Sequence, residues 1–96
     1  MFVLIAHYSQ VPEQVAPHIP AHREWVKRYV EAGVLVAAGP KRNGLGGLCL
    51  ARSMPREELQ RILAEDSYVQ AGVVEYQVIE LDFTVAASEF EALKAL

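Results

Sequence analysis

Three stretches of this chain, residues 2–6, 34–38 and 78–79, are apolar at consecutive positions instead of at every second one. Side chains along a strand point alternately to the two faces of a sheet, so a sheet with one solvated face reads apolar, polar, apolar. These runs therefore ask for cover on both faces. The 96 residues are expected to form one unit, with its core at about residues 1–83, because a chain of this length rarely divides into two cores. Two helices, identified below, can lie on one face only. The simplest cover for the other face is a second copy of the same sheet, a homodimer through sheet faces with a barrel-like interior. The alternative is a C-terminal tail folded beneath the sheet.

Residues 2–8 are short, rich in β-formers and end ahead of Pro12, the profile of a buried strand. A loop bearing Pro12, Pro17 and Pro20 is expected next. It leads into an amphipathic helix with Ile19, Val26, Tyr29 and Val30 on one face, Glu24, Lys27, Arg28 and Glu31 on the other, and Gly33 as its stop. Residues 34–38, closed by Gly39-Pro40, and residues 45–51 read as two further strands, joined as a hairpin through Lys41-Arg42-Asn43-Gly44. Ser53 and Pro55 ahead of Glu57 and Glu58 mark a second helix, with Leu59, Ile62 and Leu63 inward and an end near Glu65. Residues 73–83 form the last strand, and the tail from Ser88 reads as a frayed or docking helix. The order βαββαβ predicts an α+β, ferredoxin-like sandwich in which both helices pack on one face of a four-stranded antiparallel sheet.

Composition narrows the function classes. A net charge of −3 provides no basic field for phosphates, so nucleic acid is not an expected partner. The apolar opening lacks a basic leader region and reaches His7 and Tyr8 long before a membrane span would be complete, which makes the cytoplasm the expected compartment and excludes a membrane partner. Cys49 is the one cysteine and lies between Leu48 and Leu50. It can form no intrachain disulfide and reads as a buried, inert thiol.

Two polar residues stand where apolar ones belong. His22 falls three residues after Ile19 and four before Val26, on the inward stripe of the first helix. Asp66 continues the stripe of Leu59, Ile62 and Leu63, at a helix C-terminus where the macrodipole disfavours an anion. If both helices cover the same face, the two side chains can meet near one edge, where a carboxylate orients an imidazole for proton transfer. Each also has a structural reading. Asp66 can be the N-cap of a short turn over residues 67–70, and His22 a satisfied core or rim histidine. His7, at the end of the first strand, can face the same cavity, whereas His18 reads as solvated. His18 and His22 are four apart, but the helix is expected to begin only near Pro20, and no Glu stands beside the first as in a protease zinc helix. No metal is expected. Gly44-Leu45-Gly46-Gly47 has no Lys-Ser/Thr after it and opens no helix, so it reads as a hairpin turn and not a phosphate loop. Trp25 flanks the stripe and reads as a core or interface residue.

Ala21-His22, Ala32-Gly33-Val34-Leu35, Ala38-Gly39-Pro40, the run Leu63 to Gly72 with Asp66-Ser67-Tyr68 at its centre, and Val73 to Ile79 together resemble the YCII-related (YciI-like) family over about residues 1–83. The resemblance implies a dimeric α+β barrel similar to that of muconolactone isomerases. It also implies a histidine and an aspartate, at His22 and Asp66 in this chain, proposed in the family as a catalytic pair. One family member eliminates chloride from a chlorinated hydroxyhydroquinone. The expected function is thus cofactor-independent lyase or isomerase chemistry on a small cyclic substrate, with His22 as general base and Asp66 as its orienting partner or as acid. His7, Gly39, Pro40 and Ser67 complete the candidate substrate-binding set. Ser67 departs from the family, which usually has proline after the aspartate. The alternative is a non-catalytic dimeric module that binds a small metabolite or serves as an accessory protein. Haem ligation has no distinctive support in the sequence.

Overall fold

The computed structural model describes residues 1–96. Strands β1 (Phe2–Tyr8), β2 (Leu35–Pro40), β3 (Gly46–Ala51) and β4 (Val74–Glu80) form one antiparallel sheet in the order β2-β3-β1-β4. Leu4 of the central β1 stands opposite both Cys49 and Val78. Strand alternation then sends Phe2, Leu4 and Ala6 to the same face as Ala51, Cys49, Val78 and Tyr76. Helices α2 (Ile19–Glu31) and α3 (Arg56–Ala64) cover that face, joining Trp25, Leu59, Ile62 and Leu63 to the sheet residues in one core. The fold is the expected α+β, ferredoxin-like sandwich.

Trp25 is the bolt between the two helices. It is 2% exposed, and its indole N–H, which a core position would otherwise leave unpaired, donates to the Ile62 carbonyl at 2.9 Å. Truncating a buried tryptophan costs about 3–5 kcal/mol, so α2 is held firmly where it borders the site described below.

The proline-bearing stretch after β1 departs from expectation. It is helical and not a loop: α1 (Pro12–Val15), a 3₁₀ turn (Ala16–His18) and α2 follow without a break. Each proline lies within the first two positions of its own helical segment, where its missing N–H would have had no intrahelical acceptor. Val15 is fully buried there and packs in a second cluster with Tyr68, Val73 and Val74.

Smaller differences lie at element ends. β2 continues through Pro40, which an edge strand tolerates because the absent N–H is not needed for the ladder. Pro55, not Ser53, occupies the position before α3. The Ser53 hydroxyl instead accepts from the N-terminal ammonium at 2.7 Å and donates to the Leu96 carbonyl at 2.9 Å, tying the two ends of the chain together. β4 stops at Glu80, and the tail forms 3₁₀ turns over Ser88–Ala95 with a kink at Phe90. Gly46 is required both for space and for backbone conformation: a Cβ there, at a φ of 138°, would meet the Ala6 carbonyl oxygen at 2.0 Å.

The sheet face away from the helices carries Val3, Ile5, Leu48, Leu50 and Ile79. Leu48 and Ile79 are 39% and 38% exposed.

Candidate functional site

The site is built around one buried carboxylate. After α3 the chain turns extended at Asp66 (φ −67°, ψ 127°) and re-enters a helix as α4 (Ser67–Gln70). The Asp66 side chain caps that helix by accepting the Tyr68 N–H at 3.1 Å. Asp66 is 0% exposed and is the one buried charged residue of the chain. An ionised carboxylate so placed is tolerable only if its oxygens are well supplied with donors. Two more arrive from distant elements: Oδ1 accepts from the His22 ring at Nδ1 (2.7 Å) and Oδ2 from the Tyr76 hydroxyl (2.6 Å). The cap and the histidine partner, two separate readings of the sequence, are therefore one arrangement sharing Oδ1.

This geometry fixes the His22 tautomer. A carboxylate can only accept, so the proton sits on Nδ1, and Nε2 of the neutral ring keeps its lone pair. Nε2 has no protein partner. The ring is stacked on Tyr68, with centroids 3.8 Å apart and planes 7° apart, and Trp25 lies against it at 5.8 Å. These contacts leave the imidazole one orientation.

His22 borders a cavity of about 570 Å³ between α2 and the adjoining ends of β2 and β3, within the size range typical of small-molecule sites. Ala6, Ile19 and Val26 give it apolar walls, and Tyr8, Tyr68 and Tyr76 aromatic ones. Burial, reinforced by the bond to Asp66, pushes the Tyr76 phenol far above the ordinary tyrosine range. It therefore stays protonated as a donor to the carboxylate. Burial and then the Asp66 charge push the Cys49 thiol up to about 11, which keeps it a neutral wall group.

The expected substrate-binding set divides. Gly39 and Pro40 line the cavity, and the strands there approach so closely that a Cβ on Gly47 would lie 2.8 Å from the Gly39 carbonyl oxygen. His7 does not line it. The residue lies between Ala6 and Tyr8, so alternation turns it to the opposite sheet face, where its ring is 2.9 Å from Lys41 Nζ and 3.3 Å from Gln77 Oε1. Ser67 is also absent from the walls: its hydroxyl donates to the His18 carbonyl at 2.9 Å, holding α4 against the start of α2. His18 is half-buried rather than solvated. Sequence reasoning gave no site role to Tyr68, Tyr76 or Arg23, which line the cavity, and placed Lys27, which also lines it, on the polar face of its helix. No group of three or more His, Cys, Asp or Glu side chains clusters as metal ligands would.

With this geometry described, comparison with known proteins gives three findings. The family model of the YCII-related domain matches residues 1–82. Among solved structures, 5-chloro-2-hydroxyhydroquinone dehydrochlorinase from Burkholderia phenoliruptrix AC1100, in complex with 2,5-dihydroxybenzoquinone, is similar with a TM-score of 0.69 at 14% identity, covering 85% of this chain and 94% of that one. At that identity the likeness bears on the fold alone. Among curated proteins, none matches. No helix is long and apolar enough to cross a membrane.

Proposed function

We propose that this chain, which belongs to the YCII-related domain family, is a cofactor-independent acid–base enzyme of lyase or isomerase type acting on a small cyclic substrate. The observation that carries the reading is the 2.7 Å contact between His22 Nδ1 and Asp66 Oδ1, which leaves Nε2 unpaired beside a cavity of about 570 Å³. Nε2 acts as general base and takes a proton from a ring carbon next to a carbonyl. In the lyase form the C–H electron pair becomes the new double bond, and a leaving group such as chloride departs with its own pair. In the isomerase form the imidazolium returns the proton to a different ring carbon. Asp66 holds the ring and stabilises the imidazolium, while Tyr76 and the Tyr68 N–H hold Asp66. A positioned base of this kind contributes about 10²–10⁴-fold.

The similar dehydrochlorinase suggests the first compounds to screen: chlorinated hydroxyhydroquinones, then related enones and lactones. With a substrate in hand, His22→Asn is expected to lower kcat by at least two orders of magnitude at unchanged fold, and Asp66→Asn by a smaller factor. Turnover by His22→Asn at the wild-type rate would remove His22 as the base, and binding without turnover by wild type would move the assignment to a non-catalytic binding module, in which Asp66 serves as a helix cap.

The reading includes a homodimer through the open sheet faces, supported by the apolar Val3, Ile5, Leu48, Leu50 and Ile79 and by the general rule that such patches mark interaction surfaces. It takes residues 1–96 as one domain and the cytoplasm as its compartment, where the lone Cys49 thiol would stay reduced.

A further inference from the structure

Helix α2 presents two parallel rows to the cavity. His22, Val26 and Val30 follow one another at intervals of four, and Arg23, Lys27 and Glu31 follow one residue later at the same spacing; all six border the cavity. The first row is imidazole and apolar. The second is charged, and its polarity runs from positive beside His22 to negative beside Val30. Arg23 and Lys27 take part in no ion pair: the pairs in this chain are His22–Asp66, Arg28–Glu65 and Lys94–Glu91. Two unpaired cations thus stand at the mouth of a cavity in a chain whose net charge is −3.

A second observation points to the same ligand. Tyr68 is 6% exposed; its hydroxyl interacts with that of the neighbouring Tyr8 and with no other protein group, and no fully enclosed side-chain polar atom lacks a partner. The Tyr68 hydroxyl is therefore open to the cavity that both tyrosines line. Burial holds its phenol protonated well above the ordinary range, and Arg23 is the cation among the charges that act on it. A pair of phenol hydroxyls open to the cavity and two cations without an anion are complementary to one kind of group.

We propose that Arg23 and Lys27, with the hydroxyls of Tyr8 and Tyr68 behind them, select a ring substrate that enters carrying a carboxylate. The carboxylate sits at the Arg23–Lys27 rim, where a guanidinium can meet both of its oxygens, and the ring lies along Val26 toward Nε2 of His22. Glu31, one turn beyond Lys27, repels a carboxylate placed at the other end and so sets the direction of entry. The inference rests on the cavity being the substrate site and adds to that reading the charge of what it takes.

The test uses two ring probes of one shape, benzoate and the uncharged benzamide, titrated against the full-length protein at low salt and followed by backbone amide shifts. Exposed cations contribute about 0.2–1 kcal/mol each, so wild type is expected to prefer benzoate by roughly two- to thirty-fold. The preference should vanish in Arg23→Gln/Lys27→Gln, with benzamide binding unchanged, and should collapse in salt of about 1 M. Equal binding of the two probes to wild type, or a preference that survives in the double variant, overturns charge selection while leaving the acid–base reading intact. Shifts from neither probe overturn both, because the cavity would then not be a ring-binding site.

Discussion

Replacing Asp66 by alanine should be among the most damaging single changes in this chain, and replacing it by asparagine should not. The carboxylate is fully buried and holds three donors: the His22 ring N–H, the Tyr68 N–H and the Tyr76 hydroxyl. Alanine removes a helix cap worth about 0.5–2 kcal/mol and leaves a phenol hydroxyl without its acceptor, which costs about 1–3 kcal/mol. It also breaks the bond to a half-buried imidazole, whose remaining access to water softens that loss. Together these put the cost near 3–5 kcal/mol, the size usual for removing one partner of a buried charged pair and a large part of the about 5–15 kcal/mol that holds a domain together. Asparagine keeps an oxygen where Oδ1 accepts the His22 and Tyr68 N–H groups, and offers its amide to a Tyr76 hydroxyl that can rotate to accept. Only charge assistance is lost, about 1–2 kcal/mol. Urea unfolding followed by the fluorescence of Trp25, which is buried and touches His22, measures both variants on one probe. At about 4–8 °C per kcal/mol for a chain of this size, the two should also separate clearly in Tm. Asp66→Ala within about 1 kcal/mol of wild type, or Asp66→Asn as costly as Asp66→Ala, would refute the three-donor account.

Stability should fall with rising pH above about 9. Cys49 titrates near 11 in the fold against an ordinary value of 9.0. Below 9 both folded and unfolded chains hold the thiol proton and the contribution is whole; above it the unfolded chain releases the proton first, so about 2–3 kcal/mol is lost by pH 11. The raised phenols of Tyr68 and Tyr76 extend the loss above pH 10; unfolding free energies that stay level from pH 9 to 11 would contradict this. Ser67→Pro should change stability by less than about 1 kcal/mol, because position 67 opens α4 and follows an extended residue where proline fits, and reduced unfolded-state entropy offsets the lost bond to His18. A loss above about 2 kcal/mol in a melt would show that the hydroxyl bond is indispensable. Leu48→Lys should convert a dimer to a monomer in light scattering at unchanged circular dichroism, since it puts a charge into the apolar open face. A dimer that persists in this variant, or a monomeric wild type, would remove the sheet-face interface.

Which parts of this molecule could be read in advance follows from which interactions are local. The unbroken apolar runs at residues 2–6 and 34–38 identify strands of the sheet, and the stripes on α2 and α3 identify helices with one buried face. His22 and Asp66 stood out because each interrupts such a stripe. The prolines misled because composition marks a loop, whereas position decides: Pro12, Pro17 and Pro20 each fall where a helix needs no N–H. His7 could not be assigned to a face because a run that is apolar throughout carries no alternation to fix parity, and one residue of register moves a side chain to the other side. Ser67 and Tyr76 find their partners through contacts with no local signature: the Ser67 hydroxyl meets a carbonyl 49 residues away, and Tyr76 meets Asp66 across the packing of helix on sheet.

The most direct test of the account is the protonation state of the two nitrogens of the His22 ring, read by long-range ¹H–¹⁵N NMR at a pH where the imidazole is neutral. The arrangement at Asp66 requires a proton on Nδ1 and a free lone pair on Nε2, facing the cavity as a base. A ring protonated on Nε2, or an even mixture of the two tautomers, would mean that Asp66 does not hold the imidazole, and the proposed chemistry would lose its base.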